Sequence, residues 1–351
     1  MRPYRCTNCR GSLSSEETSW RCDDCGGQVS LYKERFPVFY SLASLATQDA
    51  SLKENLYDGM LGRFYSFLMP FLSLPVRPFA RSVGQWLLYV IVMLLLATGY
   101  TRGIQVIAGG SPSVPGTLFI LAAIILTVLA IRNPMFGWLL VLAVPFKLNH
   151  LLSNFRPENT FIDVHQRTIE KLAAIDHKLK VLDVSTGTCN SLLRHGWLSL
   201  NAEYFGIDLS ETMLEQGSSN CADAGASVSL ALADACDLPF EDAYFDIVLN
   251  YGAINGYSDV RGALSEMYRV LKPGGTIVLY DEQLYQGANL LENLYFRKVL
   301  SPHDVISECP VDSIPEGATY ELHQVYPYYF LCIIKKTIVS NNEILVNDLG
   351  D

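Results

Sequence analysis

The chain has 351 residues, and its 36 acidic residues outnumber its 26 basic residues, so the formal net charge is −10. This acidic balance argues against a nucleic-acid backbone as the main partner, because affinity for it depends on neutralising phosphates. The length is sufficient for two domains. The nine cysteines comprise two CxxC pairs and five scattered positions. That pattern does not fit a disulfide framework and favours a reducing, cytosol-facing location.

Residues 1–40 are predicted to form a small zinc ribbon. Its ligands would be two CxxC pairs separated by twelve residues, Cys6, Cys9, Cys22 and Cys25. Each pair can turn two thiolates toward one point, and four thiolates suit a tetrahedral Zn²⁺ with no open position for catalysis. A unit of this size buries too little apolar surface to fold alone, so the metal would supply its stability. The alternative is four reduced cysteines without a metal.

Residues 41–81 have a mostly helical pattern with dense aromatic side chains, among them Tyr57, Phe64 and Tyr65. They are predicted to form a helical linker ahead of the segments that follow. An amphipathic helix lying on a membrane or on the protein core is the alternative.

Residues 82–146 contain two long stretches without a charged side chain, at 82–101 and 103–131. About 20 apolar residues are needed for a helix to cross a bilayer, so a transmembrane hairpin is predicted, with helices at roughly 83–107 and 116–133. The basic residues that flank it favour two ends on the same, cytosolic side. The prediction is an integral membrane protein whose ribbon and C-terminal domain both face the cytosol. A soluble protein with two buried apolar helices is the alternative.

The stretch from Val181 to Asn190 predicts a buried strand, a tight loop around Gly187 and a following helix. Asp183 lies at the carboxyl end of this strand, where open α/β sheets bind ligands. Two further predicted strands also end in an acid, Asp208 and Asp234. These repeated strand ends predict a ligand site at one edge of a parallel sheet.

Further elements are predicted on both sides of these strand ends. A helix with apolar residues at helical spacing precedes the first strand, and its pattern runs from Phe161 to Ile175. A fourth strand at 244–251, a helix at 264–271 and a strand at 276–280 follow. The last two strands are predicted at 319–325 and 328–334, as a hairpin, with a tail at 338–351.

Three stretches, GIDLSETML, ADACDLPFEDAYFDIVL and LSEMYRVLKPGGTIVLYD, resemble motifs of the class I S-adenosylmethionine-dependent methyltransferases in order and spacing. The nearest group contains the ubiquinone and menaquinone C-methyltransferases. The resemblance covers about residues 155–337 and implies an α/β fold with a Rossmann-like seven-stranded sheet, in a domain at 147–337. It also implies that the segment at 41–81 serves as a lid over the cofactor and substrate.

The resemblance implies S-adenosylmethionine as the cofactor and assigns roles to residues of this chain. Asp183 is expected near the methionyl amino group, and Asp208 at the ribose hydroxyls. Leu209 and Met213 are expected against the adenine, and Asp234 at its amino group with the Ala235 N–H beside it. The remaining expected cofactor contacts are Ser185, Thr186, Gly187, Cys189, Asn250 and Tyr251. For each acid, a loop cap or a surface charge is the alternative.

The first loop departs from the family pattern. Ser185, Gly187 and Cys189 stand where three glycines usually stand, and a Cβ at two of those positions narrows the approach to the loop. Since methyl transfer is an in-line displacement that depends on positioning and desolvation, no catalytic dyad is required. Tyr251, Asp281 and His165 are weak candidates for a base, and His165 has a structural role as its alternative.

The function predicted from these features is membrane-anchored methyl transfer to a small lipophilic acceptor, such as a quinone precursor, an isoprenoid or a lipid. Two alternatives stay open. One is a methyltransferase of RNA or protein, and the other is a non-catalytic membrane scaffold in which the altered first loop no longer binds the cofactor.

Overall fold

The computed structural model describes residues 3–15, 19–63, 161–284, 286, 293, 297, 307–325, 329–340 and 343–345. Nearly all of them belong to one compact unit formed by residues 1–66, 160–285 and 307–351. The predicted membrane hairpin at 82–146 and the aromatic residues Phe64 and Tyr65 lie outside the described residues.

A seven-stranded mixed sheet forms the centre of this unit. Its strands are β5 (Leu179–Val184), β6 (Ala202–Asp208), β7 (Val228–Leu232), β8 (Phe245–Tyr251), β9 (Leu271–Glu282), β10 (Ala318–Val325) and β11 (Tyr329–Lys336). The spatial order is β10-β11-β9-β8-β5-β6-β7. The strands from β5 to β9 pair in parallel, whereas β11 is antiparallel to β9 and to β10. This arrangement confirms the Rossmann-like seven-stranded sheet predicted from the sequence.

The central strands are buried because helices cover the sheet. In β5, Val181, Leu182 and Val184 have no exposed surface, as expected for a parallel strand with both faces packed. The helices that precede or connect the strands are α3 (Phe161–Ala173), α4 (Asn190–Arg194), α5 (Glu211–Asp223) and α6 (Val260–Val270), and two short helices lie earlier in the chain, α1 (Thr47–Leu52) and α2 (Met60–Arg63).

Side chains satisfy the ends of two helices in this unit, α5 and α6. Ser210 caps α5 by accepting a hydrogen bond from the Met213 N–H at 3.1 Å, and Asp259 caps α6 by accepting from the Gly262 N–H at 2.8 Å. At the other end of α6, the Lys336 ammonium donates to the carbonyls of Tyr268 and Leu271 at 2.6 and 2.8 Å. These contacts replace backbone partners that helix ends lack.

The N-terminal residues form a small antiparallel sheet of β1 (Leu13–Ser15), β2 (Ser19–Cys22), β3 (Gln28–Tyr32) and β4 (Phe36–Pro37). This ribbon packs on the edge of the large sheet. Val38 forms a bridge to Leu232 at the end of β7, and the Phe39 N–H donates to the Leu232 carbonyl at 2.8 Å. The ribbon therefore covers an edge strand that would otherwise present unpaired backbone groups.

Aromatic side chains join the ribbon to the main core. The Tyr4 ring lies 5.4 Å from Trp20, 5.3 Å from Phe39 and 5.1 Å from Phe240, measured between ring centroids. All four side chains belong to the same buried cluster as the sheet strands. At the other terminus, β12 (Ile338–Ser340) pairs with β13 (Glu343–Leu345) in the predicted tail.

The predicted integral membrane location is contradicted. Within the described ranges, none of the helices combines the length and the apolar composition needed to cross a bilayer. The longest ones there, α3 and α5, have 13 residues each. At about 1.5 Å per residue such a helix reaches about 20 Å, short of the roughly 30 Å of a hydrocarbon core.

Candidate functional site

The predicted site residues meet at the carboxyl ends of the parallel strands. Strand β5 pairs with β6 on one side and with β8 on the other. The chain therefore reverses its direction of propagation across the sheet at β5, and such switch points are where open α/β sheets bind ligands. Asp183 and Asp208 lie at the ends of β5 and β6, and Asn250 and Tyr251 end β8.

The loop after β5 adopts an unusual backbone. Ser185, Gly187 and Cys189 all have a left-handed φ, at 57°, 53° and 59°. This region is strained for residues with a side chain. A Cβ built on Gly187 meets no atom within 4 Å, so open space lies above this residue. The loop thus offers an uncrowded backbone where the resemblance predicts the methionyl part of the cofactor.

The two side chains that replace family glycines point away from that space. Cys189 is fully buried and packs with Phe36, Leu214 and Cys221 beneath the loop. The Ser185 hydroxyl lies 2.7 Å from the Tyr257 hydroxyl. Neither side chain lies above Gly187, because no atom approaches its Cβ position within 4 Å. The space above Gly187 is therefore open, and the effect of Ser185 and Cys189 on cofactor binding stays a prediction.

Asp183 is buried to 1% exposure, and its carboxylate is only half satisfied. Its Oδ2 atom accepts hydrogen bonds from the Thr186 hydroxyl at 2.6 Å and from the Ser191 hydroxyl. Its Oδ1 atom has no hydrogen-bond partner among the described residues. Burial raises the pKa of Asp183 to about 7, although the two hydroxyl donors lower it. An unpartnered buried carboxylate oxygen is a ready acceptor for a ligand ammonium group.

Asp208 joins the first loop to the second strand end. Its Oδ2 accepts from the Gly187 N–H at 2.8 Å, and its Oδ1 accepts from the Ser210 N–H at 2.9 Å. Burial raises the pKa of Asp208 to about 6, with the two N–H donors acting in the opposite direction. The side chain is 9% exposed. Each carboxylate oxygen retains a second lone pair for a hydroxyl donor.

The expected adenine contacts lie beyond Asp208. Met213 is buried in the first turn of α5, while Leu209 is half-buried. Asp234 follows β7 and accepts from the Cys236 N–H at 2.8 Å through Oδ1. Burial raises the pKa of Asp234 above its ordinary value. Ala235 is buried beside it. Leu209, Asp234 and Ala235 belong to the loops after β6 and β7, and Met213 lies in the helix that follows the first of these loops. The two loops meet where the Ala233 N–H donates to the Asp208 carbonyl at 3.1 Å.

Asn250 and Tyr251 face opposite directions because they are successive residues of a strand. The Asn250 amide donates to the Val184 carbonyl at 3.0 Å and to the Tyr257 hydroxyl at 2.7 Å, and its own oxygen has no partner among the described residues. The Tyr251 hydroxyl accepts from the Trp197 indole at 3.2 Å and lies 2.8 Å from His165 Nε2. Asn250 therefore faces the glycine loop, whereas Tyr251 faces helix α3.

The weak base candidates are held in structural contacts. Burial raises the pKa of Tyr251 above its ordinary value and lowers the pKa of His165 to about 4, so both groups resist becoming charged. The two oxygens of Asp281 accept from the backbone N–H groups of Asn255 and Glu282 at 2.9 and 2.8 Å. None of these three groups has the features of a free general base.

A segment ahead of the sheet also contacts the site, through an acidic residue that the sequence analysis did not single out. Residues 47–63, which we name the strap, include α1, one π-helical turn at Lys53–Tyr57, and α2. Asp58 of the strap accepts from the Ser210 hydroxyl and from the Thr212 N–H at 3.2 Å. The Tyr-Asp pair at 57–58 was the available signal, but it drew attention to the aromatic ring rather than to the acid.

The four ribbon cysteines converge as the spacing predicted. All four sulfur atoms lie within 4.8 Å of one another, with 3.6 Å between Cys6 and Cys25 and 3.4 Å between Cys9 and Cys22. A tetrahedral zinc with Zn–S bonds of about 2.3 Å needs sulfur separations of about 3.8 Å. A disulfide would need about 2.0 Å, and all four cysteines are free. The clustered thiols shift one another in opposite directions: hydrogen bonding, mainly from the Cys25 backbone, lowers the pKa of Cys22 to about 7, whereas, against a backbone hydrogen bond from Gly11, the neighbouring sulfur atoms raise the pKa of Cys9 to about 12.

Residues 182–279 match the family profile described as a methyltransferase domain. This part of the chain is similar to a methyltransferase domain. Its strand order, β10-β11-β9-β8-β5-β6-β7, is that of the Rossmann-like class I methyltransferase fold. The profile begins inside β5 and ends inside β9, so it covers the strands whose ends form the candidate site.

Among the curated relatives that match part of this chain, two illustrate the similarity. The ubiquinone/menaquinone biosynthesis C-methyltransferase UbiE of Neisseria meningitidis is 34% identical over 125 residues, which is 34% of this chain and 50% of that protein. The demethylmenaquinone methyltransferase of Listeria monocytogenes is 34% identical over 134 residues, 37% of this chain and 56% of that protein. The chain therefore spans about half the length of the curated relatives it matches.

Solved structures overlap with this chain to a limited extent. The YcgJ protein from Bacillus subtilis is 19% identical with a TM-score of 0.40, and the match covers 50% of this chain and 98% of that one. A phosphoethanolamine N-methyltransferase from Haemonchus contortus is 19% identical with a TM-score of 0.37, and the match covers 46% of this chain and 38% of that one.

Proposed function

We propose that this protein is an S-adenosylmethionine-dependent methyltransferase that acts on a small lipophilic acceptor of the quinone-precursor type. The observation that carries the proposal is the half-satisfied carboxylate of Asp183, buried at the switch point of a methyltransferase domain beside the open backbone of Gly187. A buried acid with an unpartnered oxygen is costly in an empty core and useful where a cationic ligand binds.

The described residues fit the three parts of the cofactor. Asp183 Oδ1 would accept from the methionyl ammonium group, and the Gly187 backbone would lie against the methionyl chain. Asp208 would accept from the ribose hydroxyls through the lone pairs left by its two N–H donors. Asp234 and the Ala235 N–H would take the adenine edge, with Leu209 and Met213 against its face. Ser185, Thr186, Cys189, Asn250 and Tyr251 complete the proposed cofactor-binding set. Since the side chains of Cys189 and Tyr251 face the core and helix α3, these two would line the site through their backbone only.

When bound, S-adenosylmethionine supplies an electrophilic methyl group on a sulfonium centre. The contribution of this chain would be to orient the cofactor, to hold its charged ends on buried acids and to keep water from the reacting atoms. Tyr251 and Tyr257 are half-buried and their hydroxyls are hydrogen-bonded, so they serve better as fixed supports than as proton acceptors. The proposal therefore assigns no catalytic base.

The acceptor class rests on the relatives. Both matched proteins bear names from quinone biosynthesis, and a quinone precursor is an apolar ring that carries a prenyl chain. An acceptor of this class needs an apolar binding surface. A methyltransferase of RNA is disfavoured by the net charge of −10.

We further propose that Cys6, Cys9, Cys22 and Cys25 hold a structural Zn²⁺. The two knuckles have matching backbone turns, in which the Arg10 N–H donates to the Cys6 carbonyl at 2.7 Å and the Gly26 N–H to the Cys22 carbonyl at 3.0 Å. Four cysteine ligands fill the coordination sphere of zinc, so the metal would stabilise the ribbon and take no part in methyl transfer.

The test is calorimetric titration of the purified full-length protein with S-adenosylmethionine, followed by incubation with a demethylated quinol and measurement of the methylated product. The proposal expects micromolar binding that Asp208→Ala abolishes, and a product that gains one methyl group. A folded wild-type protein that binds no S-adenosylmethionine would refute the enzyme, and binding without any methylated quinol would refute the acceptor class.

A further inference from the structure

Helix α5 begins directly after the ribose-binding loop, and its first turn is held by a residue from outside the methyltransferase domain. Ser210 caps the helix through the Met213 N–H. The N–H group one residue earlier, of Thr212, donates to Asp58 of the strap at 3.2 Å, and the Ser210 hydroxyl donates to the same carboxylate oxygen. A carboxylate at this end of a helix satisfies an orphan N–H and interacts favourably with the helix dipole.

Asp58 is in turn fixed by a buried cation. Lys53, of which 5% is exposed, donates to Asp58 at 2.6 Å and to Glu211 at 2.6 Å. Burial lowers the pKa of Lys53, but the two carboxylates raise it above its ordinary value, so the ammonium stays charged. Burial raises the pKa of Asp58, and the hydrogen bonds from Lys53 and Ser210 outweigh this effect and lower it. One buried cation thus joins the strap to the first residue of α5.

These contacts continue into the predicted ribose site. The Ser210 N–H donates to Asp208 at 2.9 Å, and Asp208 accepts from Gly187 at 2.8 Å. The strap also reaches the opposite loop, where Asp49 accepts from the Ser258 N–H at 3.2 Å. A connected path of hydrogen bonds therefore runs from Lys53 through Asp58 and Ser210 to the acid that would receive the ribose.

We propose that Asp58, held by Lys53, is a positioning residue that orders the 208–212 loop for the nucleoside half of the cofactor. This inference rests on the proposed cofactor binding. Asp58 acts through Ser210 and Thr212, whose loop carries Asp208, and does not itself touch the nucleoside. Loss of the strap contact leaves the Ser210 hydroxyl and the Thr212 N–H without this acceptor, and the loop gains alternative conformations that bind the nucleoside poorly.

The test compares variants of the full-length protein by calorimetric titration with S-adenosylmethionine and with 5′-methylthioadenosine, a nucleoside without the methionine moiety. The variants are Asp58→Ala, Asp58→Asn and Lys53→Met. The control is Glu54→Gln, an exposed acid on the same turn as Lys53. We expect Asp58→Ala to lower the affinity for both ligands by about tenfold. The factor should be the same for both, because the loop would bind the nucleoside that they share. Lys53→Met should lower both affinities by a smaller factor, and Glu54→Gln should change neither affinity by more than twofold.

A Ser210→Ala background separates positioning from a general loss of stability. Since Asp58 acts through Ser210, Asp58→Ala should lower ligand affinity by a smaller factor in that background than in the wild type. A general defect would lower the affinity by the same factor in both. Unchanged nucleoside affinity in Asp58→Ala, or fully additive losses, would overturn the inference while cofactor binding stands. If Asp58→Ala does not fold, Asp58→Asn and Lys53→Met carry the same comparison. A wild-type protein that binds neither ligand refutes the proposed function itself.

Discussion

The sulfur atom of Cys189 occupies space that only a glycine at position 217 leaves open. A Cβ on Gly217 would lie 2.9 Å from the Cys189 sulfur and 2.9 Å from the Gly187 carbonyl oxygen. Gly217 lies in the middle of helix α5, where glycine is otherwise unfavourable. In the family loop, the third glycine allows close packing of helix and strand. Here Cys189 stands at that position, and the absence of a side chain at Gly217 of α5 leaves space for its sulfur atom.

Gly217→Ala is expected to weaken S-adenosylmethionine binding and to gain no stability. An alanine favours the helix by up to about 1 kcal/mol, but overpacking against a buried sulfur and a backbone oxygen costs about 1–3 kcal/mol. Thermal unfolding and calorimetric titration measure the two effects, with exposed Ser219→Ala on the same helix as control. Adding Cys189→Gly should recover part of the loss, and an unaltered affinity in Gly217→Ala would contradict the packing argument.

Binding of S-adenosylmethionine should release protons. The pKa of Asp183 is raised to about 7 by burial, so at neutral pH part of the protein carries a protonated carboxyl, and a bound ammonium group favours the ionised form. Calorimetry at pH 6.5 in buffers of different ionisation enthalpy gives the number of protons released, which should fall toward zero by pH 9. In Asp183→Asn, the change in observed enthalpy between buffers should shrink. Release that persists at pH 9 would point to a different group.

Without the cofactor, the same two acids should make the protein less stable as the pH rises. The pKa values of Asp183 and Asp208 in the folded protein, about 7 and about 6, lie above the roughly 3.9 of an unfolded aspartate. The folded state therefore binds their protons more tightly, and the stability that these protons contribute is lost as the pH rises through about 4–7. The free energy of unfolding in urea at pH 5 and pH 8 tests this contribution. Asp208→Asn should reduce the difference between the free energies of unfolding at pH 5 and pH 8. An unchanged pH dependence in that variant would argue against the buried acid as its source.

Removal of the proposed zinc should destabilise the sheet edge as well as the ribbon. The ribbon covers β7 through Val38 and Phe39, and its Tyr4 packs on Phe240 of the main core. Cys22→Ser should therefore lose the metal and lower the melting temperature of the whole unit. Metal content by atomic absorption and a single cooperative transition check this expectation. Cys236→Ser lies outside the cluster and should retain one zinc per chain, whereas a wild-type protein without bound zinc would refute the site.

The sequence allowed the strand ends to be predicted because each follows a short-range pattern. A run of apolar residues that ends in an acid occurs three times, at Asp183, Asp208 and Asp234, and parallel strands bring such ends to one edge. The four-cysteine cluster was predictable for the same reason, because the short spacing of each CxxC pair brings its two sulfur atoms together. The left-handed φ of Cys189, which turns its side chain into the core, has no comparable signal because it depends on the room left by Gly217.

Contacts between distant segments were the part that could not be predicted. Asp58 lies 152 positions before Ser210, and Arg10 of the ribbon donates to the Leu238 carbonyl 228 positions away at 2.7 Å. Such pairs depend on how finished elements pack together, and one sequence carries no local trace of that packing. The apolar composition of 82–146 led to the prediction of an integral membrane location, which the helices of the described ranges contradict.

Tyr251→Phe tests whether the Tyr251 hydroxyl has a structural or a catalytic role. Its hydroxyl accepts from the Trp197 indole and lies 2.8 Å from His165 Nε2, and burial raises its pKa above the ordinary value. The fully buried Trp197 would lose this acceptor, which should lower the free energy of unfolding by about 1–3 kcal/mol. The rate of methyl transfer to a demethylated quinol should fall by less than tenfold, because a hydroxyl that resists ionisation is a poor base. Tyr320→Phe, at an exposed tyrosine of β10, is the matched control. A loss of a hundredfold or more in rate with unchanged stability would instead make Tyr251 a catalytic residue.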